Sequence, residues 1–367
     1  MLKKIALTFM GMALAVSLTA CGGSNQASNP QSDQGSNEVK PAAQTAGVSK
    51  ELVVMDWGGA ISEAHKKAIF EPFEKANHVK ITLVSPTDYG KFKAMVQSGN
   101  VGVDVVNVDS DFVIRGAAQN LLEKLDYSVI NKDGILKDLV NDYGIGAELF
   151  STAIAYNTDK FPAGSHPKNW TEFWDVKKFP GPRSLWKYPT GTLEAALLAD
   201  GVKPEELYPL DVDRAFASLD KIKKDVKVWW NAGAQPPQLL ANGEVVLAEA
   251  WNGRISTAKK EGAPEEVEFN QALIMGDSWV IPKGTPNKDL AMKFIAFAVA
   301  PEQQAAFSSN IDYAPVNQKA LDLLPDKVKE NLGQSADKAK NQIVVNIKWW
   351  VENFDTINER FEQWLLK

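Results

Sequence analysis

The residues best equipped for chemistry stand where apolar runs stop. Val245 to Ala250 carries a single acid, Glu249, and ends in Trp251-Asn252-Gly253-Arg254, an aromatic face and a guanidinium within four residues. Glu51 to Asp56 ends in Trp57-Gly58-Gly59, and Val103 to Val108 in Asp109-Ser110-Asp111. Val226 to Trp230 closes on Trp229 and Trp230, and Tyr188 precedes Pro189-Thr190-Gly191-Thr192. Asp277 and Trp279 follow the run Phe269 to Met275. Such a set suits the holding of a ligand better than its conversion. His65, His78 and His166 are scattered, without the spacing zinc needs. No Gly-x-Ser-x-Gly elbow or phosphate loop occurs, and the only cysteine is Cys21. Asp109 and Asp111 imitate a glycosidase pair, but acids at i and i+2 on a turn are more often caps. No cofactor and no metal are expected.

Strands and helices must carry these residues. Val79 to Val84 and Val103 to Val108 read as strands, with helical spacing at Ala64, Ala68, Ile69 and Phe73, at Tyr89 to Ser98, and at Phe112 to Leu122. Ser62 is placed to cap the first of these helices. Ala147 to Tyr156 reads as a long strand leaving this first group. Strands alternating with helices predict a parallel α/β sheet with right-handed crossovers. Ligands in such sheets bind beyond the carboxyl ends of strands, where Trp57, Asp109 and Trp251 fall. Further on, Asp211 to Lys224 is amphipathic, with Ala215, Phe216, Leu219 and Ile222 on one face. Pro236 and Pro237 are expected to hold an extended loop, and Gly253 to supply a sharp turn. Beyond Ser308 the chain reads as helical to Lys367.

At the N-terminus, Lys3 and Lys4 precede the apolar run Ile5 to Val16, too short to span a membrane and shaped as a secretory signal. Gly22 to Lys50, rich in Ser, Asn, Gln, Gly and Ala, buries too little to fold and is expected to be a flexible tether. Losing Lys3 and Lys4 from the 40 basic side chains leaves 38 against 46 acidic ones, a charge of −8. With no basic patch, nucleic acid is excluded as a partner. Roughly 317 residues remain from Glu51 to Lys367, more than one ordinary domain.

Leu18-Thr19-Ala20-Cys21 resembles the lipobox of bacterial lipoproteins. That resemblance implies cleavage before Cys21 and lipidation of its thiol, anchoring the protein on the outer side of the bacterial membrane. Asp56-Trp57-Gly58-Gly59, Gly102 to Val106, Ala155-Tyr156-Asn157, Trp170 to Trp174, Trp251-Asn252-Gly253, Asp277-Ser278 before Ile281-Pro282, and Tyr313-Ala314-Pro315-Val316-Asn317 resemble, in order, the spermidine/putrescine-binding branch of ABC-importer solute-binding proteins. The resemblance implies a two-lobe α/β periplasmic-binding-protein fold (type II) with a ligand cleft between the lobes. Lobe 1 would be 51–157 plus about 277–318, and lobe 2 would be 158–276 plus about 319–367. It also implies a monomer that delivers its solute to ABC permease subunits.

By position, Trp57, Trp251 and Tyr313 resemble the aromatic walls of such sites and Asp277 the carboxylate that grips an amine. Asp109, Asp111, Tyr188 and Trp229 are added as strand-end candidates. Where polyamine binders carry an acid pair ahead of Leu193, this chain has Tyr188, Thr190 and Thr192, leaving Glu194. Arg254 would repel a polyamine and suit a carboxylate. In that respect the chain is similar to a subgroup binding γ-aminobutyrate or opine-type solutes, which makes a small zwitterionic amine the expected ligand. The competing class is a sugar binder, with Trp faces for pyranose rings and Asn231, Gln235 and Asn252 for hydroxyls.

Overall fold

The computed structural model describes residues 50–162 and 164–367. The lipobox and the expected tether up to Ser49 lie outside these residues, and Lys50 begins the first strand. Strand β1 (Lys50–Met55) leads to α1 (Ala60–His65), a π-helical turn (Lys66–Phe70) and α2 (Glu71–Asn77). Next come β2 (Val79–Val84), α3 (Tyr89–Gln97), β3 (Val105–Asp109), α4 (Ser110–Ala118), β4 (Val140–Asn141) and β5 (Gly144–Asn157). They are followed by α5 (Trp170–Trp174), β6 (Arg183–Trp186), α6 (Pro189–Ala199), α7 (Val212–Ile222), β7 (Val226–Trp230), α8 (Gln235–Ala241), β8 (Leu247–Trp251), α9 (Asn252–Lys260) and β9 (Glu265–Val280). The chain ends with α10 (Lys288–Ala298), α11 (Pro301–Asn310), β10 (Ala314–Pro315), α12 (Asp326–Asn331), α13 (Ala336–Ala339), β11 (Ile343–Val344) and α14 (Ile347–Leu365).

The strands join in the order β2-β1-β3-β9-β5-β8-β6-β7. Parallel trios stand on either side, β2-β1-β3 and β8-β6-β7, as alternating strands and helices require. Between them lie the antiparallel β5 and β9, of 14 and 16 residues, long enough to serve both sides. The last residues of β9 pair with β3 and the last of β5 with β8. Shifts in the β5–β9 register at Gly146/Glu148 and Thr152/Ile154 bracket the crossover. Bulges of this kind bend and twist a strand, which lets one ribbon serve two differently inclined sheet halves. Of the residues of β5, all but Leu149 are buried, because helices or strands cover both faces.

Several local readings change. Pro236 and Pro237 lie in the first turn of α8, where a missing N–H costs nothing, and not in an extended loop. Ser62 caps no helix; its hydroxyl donates to Asp56. After Ser308 the chain is only partly helical, since β10 pairs with β5 and β11 with β9. Helix α14 is amphipathic and buries Trp350, Phe354, Ile357, Phe361 and Trp364. Successive side chains on a strand point oppositely, and this separates the two indoles of β7. Trp230 goes inward, stacked 5.4 Å from Trp186, while Trp229 packs 5.4 Å from Trp364 of α14. Trp229 therefore anchors the last helix and is no part of a site.

Candidate functional site

The carboxyl ends of β1, β3 and β8 meet at the crossover. Asp56 shapes the turn after β1: one oxygen accepts from the Gly58 N–H at 3.0 Å and the other bonds His65 Nδ1 at 3.1 Å. Gly58 and Gly59 hold φ values of 74° and 64°, which glycine adopts without strain. Trp57 at this turn lies edge-on to Trp251, with centroids 6.0 Å apart. Behind Trp251 stand Phe150, Trp186 and Trp230 at 5.7, 5.3 and 5.2 Å, so its ring cannot rotate away.

Trp251 is followed at once by α9, so Asn252, Gly253 and Arg254 form a helical first turn and not a loop. Gly253 is needed for close approach: a Cβ there would lie 2.5 Å from Tyr313 Cε1. Asn252 is fully committed, accepting from the Ser151 N–H at 2.8 Å and donating to the Asp312 carbonyl at 2.7 Å. Gln235 likewise caps its own loop, accepting from the N–H groups of Asn231 and Ala232. Asn252 and Gln235 are two of the three side chains that a sugar site would have used.

Arg254 reaches across to the other sheet half. Nη1 donates to the Gly58 carbonyl at 2.8 Å and Nη2 to that of Trp57 at 3.3 Å, while its carbon sits 5.2 Å from the Trp251 ring centre. The guanidinium is 3% exposed, and burial lowers its pKa. Its Nε, like Trp251 Nε1, has no hydrogen-bond partner among the described residues. Trp57, Trp251, Arg254, Asp109, Asp277 and Tyr313 all line one cavity of about 10 Å³. The expected aromatic walls and opposite charges do converge.

Strand register adds what spacing could not show. Asp277 lies within the last four residues of β9, opposite Asp109 of β3 on one side and Glu148 of β5 on the other. Three carboxyl groups thus form a row across adjacent strands roughly 4.8 Å apart. Like charges in such a row repel, and burial forbids charging them all. Burial first, then Glu148 and Asp109, push Asp277 well above the usual carboxylate range. Burial and the Asp111 charge raise Asp109 to about 7, against the pull of Tyr89, whose hydroxyl donates to it at 2.6 Å. Glu148 faces His65 Nε2 at 3.8 Å. Burial alone would lower the His65 pKa, but bonds to Asp56 and Glu148 raise it to about 9. His65, Tyr89, Glu148 and Phe150 were missed by sequence reasoning; only the register and the helix packing bring them here.

Two expected residues play other parts. Asp111 is held by Arg115 through Nε at 3.0 Å and Nη2 at 2.9 Å, which occupies it as an ion pair. Tyr188 stacks on Trp186 at 4.7 Å and accepts from Arg115 Nη2 at 3.4 Å, at the rim and not in the aromatic cavity. Arg115 also lies 3.7 Å from the Phe354 ring centre. Glu194 accepts from Tyr208 and Trp350 and is likewise unavailable.

A two-halved α/β fold with a charged aromatic cavity at the crossover defines a clamp-type binding protein. A family profile described as bacterial extracellular solute-binding protein matches residues 68–336, and the chain belongs to that family. The γ-aminobutyric acid-binding protein of Pseudomonas aeruginosa is 40% identical over 330 residues, 88% of this chain and 93% of that protein. Among solved structures, the binding protein AgtB of A. tumefaciens R10 in complex with agropinic acid superposes with a TM-score of 0.82 at 38% identity, covering 87% of this chain and 99% of that one. The Atu4243 GABA receptor gives a TM-score of 0.77 at 41% identity, covering 86% and 98%. The two solved structures carry the two-lobe periplasmic-binding-protein fold.

Proposed function

We propose that this protein captures a small zwitterionic amine, of the γ-aminobutyrate kind, and hands it to an ABC permease. One observation carries the reading: Arg254, Asp109 and Asp277 are buried on a single cavity that Trp57 and Trp251 also line. A carboxylate pairs with the guanidinium, and an ammonium neutralises the row while lying against indole faces. A polycation is disfavoured by Arg254, and Glu194, the one acid near the position where polyamine binders carry a pair, is committed to Tyr208 and Trp350. The names of the relatives above, a γ-aminobutyric acid-binding protein and a GABA receptor, support the same class. In this reading residues 51–157 plus about 277–318 form one lobe and 158–276 plus about 319–367 the other, closing on β5 and β9 as hinges. The lipobox at Cys21 supports tethering to the membrane by a lipid, and the binder acts as a monomer without enzymatic activity.

Calorimetry with γ-aminobutyrate and n-butylamine tests this. Removing one partner of a buried charge pair costs about 2–5 kcal/mol. Arg254→Ala should therefore weaken γ-aminobutyrate at least thirtyfold and leave n-butylamine nearly unchanged. Equal affinity of the variant and the parent protein for γ-aminobutyrate would remove the carboxylate role.

A further inference from the structure

One line of polar contacts runs behind the aromatic cavity and joins its two charged ends. It starts at Glu148, the cross-strand neighbour of Asp277. Glu148 Oε2 faces His65 Nε2 at 3.8 Å, and His65 Nδ1 meets Asp56 Oδ2 at 3.1 Å. The other Asp56 oxygen accepts from the Gly58 N–H at 3.0 Å, and the Gly58 carbonyl accepts from Arg254 Nη1 at 2.8 Å. Asp277 and Arg254 line the cavity, whereas His65 and Asp56 are set behind it.

His65 is the link that faces two acids. Its ring is fixed in place: Phe307 of α11 stacks on it at 4.7 Å, and Trp279 of β9 lies 4.9 Å away. Both ring nitrogens point at carboxyl groups, and only the imidazolium can donate from both. Asp56, His65 and Glu148 are each 1% exposed or less, so solvent screens their charges little. Past Glu148 the titratable neighbours are Asp277, Asp109 and Tyr313, and past Asp56 the charged neighbour is Arg254.

We propose that His65 is a positioning residue for solute capture: from behind the cavity its imidazolium holds Glu148 at the acid row and Asp56 under the turn on which Arg254 rests. This rests on the zwitterion reading above, since it needs an ammonium at the row and a carboxylate at Arg254. His65 itself touches no part of the solute. Removing its cation leaves the row without a counter-charge, so the acids keep a proton to higher pH. The arriving ammonium must displace that proton, and the row responds as one coupled group. His65 therefore sets the pH above which capture is complete.

The test is calorimetry with γ-aminobutyrate on the parent protein, His65→Gln and His65→Lys, from pH 5.5 to 8.5, where the parent's His65 keeps its charge. In the parent the affinity rises with pH and then levels off. For His65→Gln the levelling should move up by about one pH unit or more. His65→Lys, which returns a cation without the ring, should bring it back toward the parent. A residue that only packs would lower the affinity evenly and leave the levelling pH unmoved in both variants. That result overturns the role of His65 and leaves the zwitterion reading standing. Should both variants fail to fold, nuclear magnetic resonance follows the three imidazoles of the parent. One of them should stay cationic at pH 7.5 with and without γ-aminobutyrate, and three neutral rings would overturn the role. If γ-aminobutyrate binds the parent at no pH, the zwitterion reading and the role of His65 fall together.

Discussion

Binding of an amine to the Asp109–Asp277–Glu148 row should release a proton. In the ligand-free protein Asp277 holds its proton well above the usual carboxylate range, and Asp109 titrates near 7. An ammonium placed against the row favours the ionised form, so the proton leaves as the solute arrives. Because the acids interact, the release belongs to the row and not to one residue. While the pH stays below the ligand-free value, each unit of rise should strengthen binding about tenfold per proton released. From pH 5.5 to 7 the affinity for γ-aminobutyrate should therefore rise roughly thirtyfold. Titration at pH 6 in phosphate and in imidazole, whose ionisation heats differ, should give close to one proton released per solute. Asp277→Asn should diminish the release and flatten the pH dependence together, leaving the part that Asp109 carries. Equal heats in both buffers with a flat affinity profile would refute the argument, because the row would then already be charged.

The same linkage predicts one further result, and the packing around Gly253 another. His65 is raised from 6.5 to about 9, so its stabilisation is complete below pH 6.5 and lost as the pH climbs through 9. His65→Gln should lower unfolding stability by on the order of 3 kcal/mol at pH 6, and the gap should narrow by pH 10 in denaturant titrations. Gly253→Ala puts a Cβ 2.5 Å from the Tyr313 ring, a clash that costs about 1–3 kcal/mol where packing is tight. Its γ-aminobutyrate affinity should drop with its melting temperature, whereas an unchanged affinity would mean that Tyr313 does not help enclose the solute.

Much of the architecture was legible because it is local. The apolar runs of β1, β3, β7 and β8, and the 3.6-residue periodicity of α7, lie where the pattern of side chains places them. The Trp251 to Arg254 stretch announced both an aromatic and a cation, and both reach the cavity. What misled was the assumption that every strand-end group faces a ligand. Trp229 and Trp230 are adjacent in sequence, yet alternation sends one under α14 and the other behind Trp251. Asp111 looked like a site acid until the next turn of α4 supplied Arg115 as its partner.

Residue types and their order along the chain were enough to place most of the elements and to single out the candidate pair Arg254 and Asp277. Tertiary structure alone decided which acids stand side by side, because the register of β3, β9 and β5 joins residues 129 and 168 positions apart. Proton affinities follow from that proximity and from exclusion of water. Neither is a property of any short stretch of sequence.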